Sequence, residues 1–412
     1  MLFLADFHIH SRYSYATSKT MDLQALALWG RYKGLTVMGT GDFTHPIWQK
    51  ELQEQLCQVE QGLFALQPEY QTRIDQSLYQ SCKGLQRFIL TSEISTVFKR
   101  NGKCYKIHSI ILAPSFSVVK KITARLASIG NINYDGRPML SLDIKDLVSL
   151  VLESSSDCMI IPAHIWTPHF GLLGYSSGFD SFQECFQELT PYIYAFEKGL
   201  SSNFLMNAMV SNLDRFAILS NSDAHSLENL GREANLFDTD FSYQAITQAI
   251  RNNDPEKLVA GIEFYPEMGK YYGSGHRACS CYLTPEESLV DRTCLICGKG
   301  VTIGVAHRVA QLADRTREQA LEKIRPSHAI VPLQTIIAYT FNVQLPNKKV
   351  QAMYHHLLIS LGNEFYILLQ APIEQVMSYG SLEIAQAIKS MRSCAVMLTP
   401  GYDGFYGTIK FL

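Results

Sequence analysis

Leu2-Phe3-Leu4-Ala5-Asp6-Phe7-His8-Ile9-His10 decides how this chain is read. Residues two apart on an extended strand share a face, so His8 and His10 can offer two imidazoles to one metal ion. A lone His-x-His pair is common. The reading depends on whether other apolar runs end in the same way.

They do. Leu35 to Met38 runs to Asp42, Arg87 to Leu90 runs to Glu93, and Tyr105 to Ile107 runs to His108. Met159 to Ala163 ends at His164, Tyr192 to Phe196 at Glu197, and Phe216 to Leu219 leads to Asp223 and His225. Between them, Asp22 to Tyr32, Leu142 to Leu152 and Asn203 to Leu213 carry apolar residues at helical spacing. Alternating strands and helices predict a parallel β/α architecture, with functional side chains gathered at the C-terminal ends of the strands.

Composition sets the outer bounds. The 412 residues suffice for one large domain and one or two smaller ones, and 47% hydrophobic with 18% charged residues is ordinary for a globular protein. A net charge of −2 gives no bulk attraction to a polyanion, so such a partner needs local basic patches and bound metal. No apolar run reaches a membrane-spanning length and no signal-like core opens the chain, so a cytoplasmic location with no membrane partner is expected. Ten cysteines fit that compartment as core thiols plus a metal cluster.

Two stretches suit a large substrate. Asn101-Gly102 between strand-like runs predicts a tight hairpin, whose basic tip of Lys99, Arg100 and Lys103 would overhang the metal ligands and could hold a phosphate backbone. Solubility alone would also explain that tip. His164 to Phe170 follows a ligand-bearing strand with Trp166 and glycines, so Trp166 meets a base or packs into the core.

Past Gly261 the pattern changes. Cys294-Leu295-Ile296-Cys297 has the knuckle spacing of structural zinc sites, and Cys279 is a third ligand. His276 is the preferred fourth, with Cys281 as its alternative. Thr284-Pro285-Glu286-Glu287 reads as a capped helix start. Apolar runs at Phe365 to Leu369 and Cys394 to Thr399 then flank helical stretches, giving a small α/β module that fits a scaffold or a DNA clamp equally well.

The order His-x-His, Asp, Glu, His, His, Asp-x-His at strand ends resembles the polymerase and histidinol phosphatase (PHP) superfamily. Gly41 to Pro46, Glu197 to Ser202, Ser222 to Ser226 and the cysteine cluster resemble endonuclease Q within it. The resemblance covers nearly the whole chain. It implies an α/β fold, a PHP-type (β/α)7 catalytic barrel over 1–262, a zinc-binding segment over 263–330 and the C-terminal module over 331–412. The implied activity is nicking of DNA 5′ of deaminated bases (hypoxanthine, uracil, xanthine) or abasic sites, in double- or single-stranded DNA.

Carried over by position, His8, His10, Glu93 and Asp223 would hold one ion. Glu93 would bridge to a second held by His108 and His164, while Asp42 and His225 would belong to a third. Asp223, Glu93 and His10 would be catalytic, and Ser201 and Ser202 would join the DNA contacts. The sequence departs from the superfamily pattern near Ala16 and at Phe43, so two ions are expected more firmly than three. Imidazole-rich ligation favours zinc or manganese, with magnesium a further candidate. The alternative activity is a small-molecule phosphoesterase of the histidinol phosphatase type, which has no use for the cysteine cluster.

Overall fold

The computed structural model describes residues 1–412 as a mixed α/β protein. No helix is long and apolar enough to cross a membrane. Seven strands carry the expected ligand-ended runs: β1 Leu2–Asp6, β2 Val37–Gly39, β3 Arg87–Arg100, β4 Lys103–Ala113, β5 Met159–Pro162, β6 Ala195–Glu197 and β7 Ala217–Leu219. The first helix, Leu23–Lys33, starts where the Asp22 side chain accepts the Ala25 N–H and stops at Gly34, whose φ of 92° suits a glycine C-cap.

The sheet is not wholly parallel. β1, β2 and β3 run parallel, but β3 and β4 are antiparallel from Leu90 opposite Ala113 to Arg100 opposite Lys103. The cause is the Asn101-Gly102 turn, with φ of 51° and 79°, which suits a two-residue hairpin and reverses the chain without a crossover helix. Glu93 and His108 therefore project from the interiors of two long paired strands. β4 pairs antiparallel with β5, while β6 and β7 form a separate parallel pair.

Single contacts link these pieces. Ile165 N–H donates to the Glu197 carbonyl at 3.0 Å, and a parallel bridge joins Ile9 to Ala224, where His10 N–H donates to the Ala224 carbonyl at 2.9 Å. On its other edge β1 pairs with Ala234–Asp238, then Leu258–Phe264, then Ser327–Ile330, so the chain returns to the main sheet after the cysteine-rich segment.

The C-terminal region is mostly helical. Phe365 to Leu369, read as an apolar run of an α/β module, lies in the helix Glu364–Leu369, whose Asn363 side chain caps Tyr366 N–H. The strands there are the hairpin Val396–Thr399 and Thr408–Phe411. These helices pack on the first helix: Trp29 stacks on Tyr354 and buried Lys33 pairs with Glu364 at 2.7 Å. The larger apolar core runs from Ile9 to Ile409, and a second gathers Phe3, Ala5, Val37, Ile110 and Ile161 from the strands.

Candidate metal centre

Two groups of ligand atoms form, each gathered within 4.8 Å: His8, His10 and Asp223, from segments just past strand ends, in one, and Glu93, His108 and His164, the first two from strand interiors, in the other. Glu93 stands between them. Its Oε2 faces His8 Nε2 at 3.5 Å and His10 Nε2 at 3.4 Å, while its Oε1 faces His108 Nδ1 at 2.8 Å and His164 Nε2 at 3.2 Å. In the antiparallel register Ser95 lies opposite His108, which leaves Glu93 two residues along the same face.

A further layer orients the rings. His8 Nδ1 lies 2.9 Å from Glu197 Oε2, so its Nε2 turns inward, where it is buried without a hydrogen-bond partner. An orphaned imidazole nitrogen 3.6 Å from Asp223 and 3.5 Å from Glu93 fits the donor set of a cation site. Glu197 also accepts the His164 backbone N–H and the Asn221 amide, both at 3.0 Å.

Asp42 does for His10 what Glu197 does for His8. It accepts from His10 Nδ1 at 3.1 Å, from the Ser11 N–H and hydroxyl at 2.7 Å each, and from Ser14 at 2.9 Å. Gly136 lies so close that a Cβ there would sit 2.4 Å from Asp42 Oδ2. Asp42 thus stands outside both ligand groups, with its oxygens occupied. His225 also stands outside them, its Nδ1 3.0 Å from the Asp223 carbonyl.

Asp42, His164 and Asp223 adopt positive φ of 52°, 28° and 47°, a region non-glycine residues seldom occupy. Strain of this kind gathers where a site over-determines the backbone.

The electrostatics suit cations. Burial raises the Glu93 carboxyl, but His108, His8 and Arg137 outweigh it and hold the group well below its ordinary range. Asp223 behaves alike beside His8, His10 and His225. Burial lowers His8 and His10, yet the carboxylates facing them hold both well above the usual imidazole value. Chiefly through burial, His108 is pushed down to about 4, which keeps its ring neutral and able to ligate.

A cavity of about 410 Å³ opens from His108, His164 and Asp223, and its wall adds Arg137, Ser201, Asn221, Lys270, Tyr271 and Tyr406. The sequence reading missed Arg137, 3.3 Å from Glu93, together with Lys270, Tyr271 and Tyr406. They sit on aperiodic loops that carry no pattern of their own.

The expected DNA contacts fare differently. Ser201 lines the cavity, but Ser202 is fully buried and its hydroxyl donates to the Lys198 carbonyl at 2.8 Å. Trp166 is 1% exposed and donates to Asn207 at 2.7 Å, so the core claims it. The hairpin tip does not overhang the site. Arg100 lies seven residues beyond Glu93, about 23 Å along an extended strand. It pairs with Asp143 at 2.8 Å, and Lys103 donates to the Gly178 carbonyl at 2.9 Å. Lys99 is exposed at that same distant end.

A separate cluster joins His276, Cys279, Cys294 and Cys297 within 4.8 Å. Its knuckle is closed by Gly298 N–H to the Cys294 carbonyl at 2.8 Å and Cys294 N–H to the Lys299 carbonyl at 2.7 Å. Burial works to raise the Cys294 thiol, but backbone N–H groups of Cys297 and Ile296 and the His276 ring bring it down to about 6. Cys281 lies outside that four-membered group and packs with Leu283. The donor set suits a structural zinc.

A family profile described as MJ0043 C-terminal domain matches residues 332–394. Uncharacterized protein MJ0043 of Methanocaldococcus jannaschii is 30% identical over 70% of this chain, which spans only 36% of that relative's length. Uncharacterized protein YqxK of Bacillus subtilis is 30% identical over 74% of each chain. The lesion-specific endonuclease PfuEndoQ from Pyrococcus furiosus superposes with a TM-score of 0.84 at 30% identity, over 100% of this chain and 96% of its own. An endonuclease Q in complex with a 27-mer duplex substrate, with an abasic lesion at the active site, gives 0.85 at 29% identity over 100% and 97%. By full-length likeness in sequence and structure, the chain belongs to the endonuclease Q family.

Proposed function

We propose that this chain is a metal-dependent endonuclease that nicks DNA on the 5′ side of deaminated bases (hypoxanthine, uracil, xanthine) or abasic sites. The observation that carries this is buried Glu93, which offers one oxygen to each of two ligand groups whose members His108, His164 and Asp223 line a cavity. We read the β1 to β7 ring as a (β/α)7 barrel over 1–262, supported by the Ile9–Ala224 and Ile165–Glu197 contacts. A zinc-binding segment over 263–330 and a C-terminal module over 331–412 complete the chain, and the cytoplasm is the compartment we propose.

His8, His10, Asp223 and Glu93 would hold one divalent ion, and Glu93, His108 and His164 a second. The nitrogen-rich set favours zinc or manganese. When bound, such a pair lowers the pKa of water and offsets charge on a leaving oxygen. Glu197 and Asp42 lock the His8 and His10 rings with Nε2 inward. Arg137 and Lys270 offer positive charge to the phosphates that flank the scissile bond. Water attacks phosphorus, the bond to the 3′ oxygen breaks, and that oxygen leaves as an alcohol.

Reading a base inside a duplex requires taking it out of the stack, at a cost lowest for mispaired or missing bases. The cavity suits such a nucleotide, with Tyr271 and Tyr406 offering aromatic faces to it. It runs outward from the ligands to Lys270 and Tyr406, the side where the later segments stand, which favours a polymer over a small phosphate ester.

End-labelled duplexes carrying deoxyinosine, deoxyuridine, an abasic site or no lesion, each with Mn²⁺, Mg²⁺, Zn²⁺ or chelator, test the proposal beside an Asp223→Ala control. Cleavage just 5′ of the lesion, lost in the variant and in chelator, is the expected result. Hydrolysis of a small phosphate ester without any lesion-dependent cut would favour the phosphoesterase instead.

A further inference from the structure

Leu295 and Ile296 stand side by side at the tip of the Cys294–Cys297 knuckle, 74% and 69% exposed. Scattered apolar residues on a surface need no explanation, whereas two adjacent aliphatics projecting from a turn tied by backbone hydrogen bonds do. Two cations flank them in sequence: Arg292-Thr293-Cys294-Leu295-Ile296-Cys297-Gly298-Lys299 contains no acidic residue, and the Asp291 carboxylate before it is turned to the Thr293 N–H and hydroxyl.

The knuckle segment touches two stretches whose other residues line the metal cavity. Arg292 donates to the Tyr175 hydroxyl at 2.5 Å, and Tyr175 belongs to the loop that begins at His164. Arg277, next to the ligand His276, lies over Phe405 at 6.0 Å. The neighbouring Tyr406 is 60% exposed and lines the cavity. An apolar tip flanked by arginine and lysine, on a segment that touches the loops bordering the cavity, complements DNA in charge and in chemistry.

We infer that Leu295 and Ile296 form a wedge that enters the base stack of duplex DNA beside the nucleotide drawn into the cavity. Aliphatic side chains inserted at a base step part the bases and take over some of their contacts. The cation edge holds the flanking phosphates, and the tied turn keeps the tip from folding away. This inference rests on the endonuclease reading. It predicts a selective dependence: the wedge matters where the lesion is stacked in a duplex and not where the strand is already single.

The test uses the zinc-loaded full chain and a Leu295→Ser/Ile296→Ser variant that keeps every ligand, with zinc content and melting temperature measured first. Each is assayed on one lesion in duplex and in single-stranded form, with 2-aminopurine beside the lesion reporting unstacking. The variant should nick the duplex about tenfold more slowly, nick the single strand within about twofold of wild type, and lose the duplex fluorescence rise. Leu295→Met/Ile296→Met should behave as wild type. If the serine variant loses zinc, Leu295→Gln/Ile296→Gln takes its place.

Equal rates on the duplex, or an equal loss on both substrates with zinc retained, would overturn the wedge. So would a change in self-association with nicking untouched, which would assign the tip to a second copy of the chain. Wild-type protein that unstacks the duplex but cuts no lesion would sink the endonuclease reading and leave the wedge standing. Cutting without unstacking would do the reverse.

Discussion

Replacing Glu197 with glutamine should cripple metal binding without removing a ligand. The Oε2 atom meets His8 Nδ1 at 2.9 Å and the Asn221 amide at 3.0 Å, while Oε1 meets the His164 N–H at 3.0 Å. A glutamine must place its NH₂ at one of these two positions, and each faces a donor. The cheapest relief is for the His8 proton to move to Nε2, the atom the metal requires. Loss of such an orienting partner costs about 10–100-fold in metal affinity or activity, or about 1.4–2.7 kcal/mol. The buried mismatch should cost about 1–3 kcal/mol of fold stability besides. Nicking rate titrated against Mn²⁺ or Zn²⁺ reads the first effect, which should appear as a rightward shift that excess metal largely rescues. An unshifted metal dependence in a folded Glu197→Gln variant would refute the orienting role.

Other expectations concern the frame. Lys198 is buried against Glu233 at 2.5 Å, so Lys198→Met alone should leave an unpaired, protonated carboxyl at a cost of about 1–3 kcal/mol in denaturant unfolding, and adding Glu233→Leu should recover much of it. Burial pushes the Glu233 carboxyl up to about 7, so the folded state keeps a proton that the unfolded chain releases near pH 4.5. Its contribution to stability must therefore fall as pH rises from about 4.5 to about 7, and Glu233→Gln should flatten that slope. Trp166→Phe should cost about 1–3 kcal/mol by orphaning Asn207 while leaving DNA affinity unchanged; a large affinity loss in a folded variant would restore the base-stacking role. Cys294→Ser should release the structural metal and lower the melting temperature, as measured by metal analysis and calorimetry.

Much of the site was legible because its elements obey short-range rules. The two-residue period of a strand put His8 and His10 together, and Asn101-Gly102 announced its turn. Asp22 and Thr284 cap the helices they were read to start, the latter with a full capping box through Glu287. What was missed lies in partners distant in sequence. A run ending in Asp42 shows a ligand type, but not the bonds from His10, Ser11 and Ser14 that converge on its oxygens. Trp166 after a ligand strand looks the same whether it meets a base or Asn207. The hairpin was foreseen, yet its consequence for direction was not: it makes β4 antiparallel and carries the basic tip away from the metals. Phe365 to Leu369 reads as a strand until Asn363 caps it into a helix.

The proposed function turns on Glu93 joining two metal ions, one in each ligand group. Crystals grown with Mn²⁺ or Zn²⁺ and measured at that metal's absorption edge put this to the test. One anomalous peak is expected among His8, His10 and Asp223, a second among His108 and His164, with a Glu93 oxygen on each. Both peaks absent beside Glu93, or density at Asp42 and His225 instead, would contradict it.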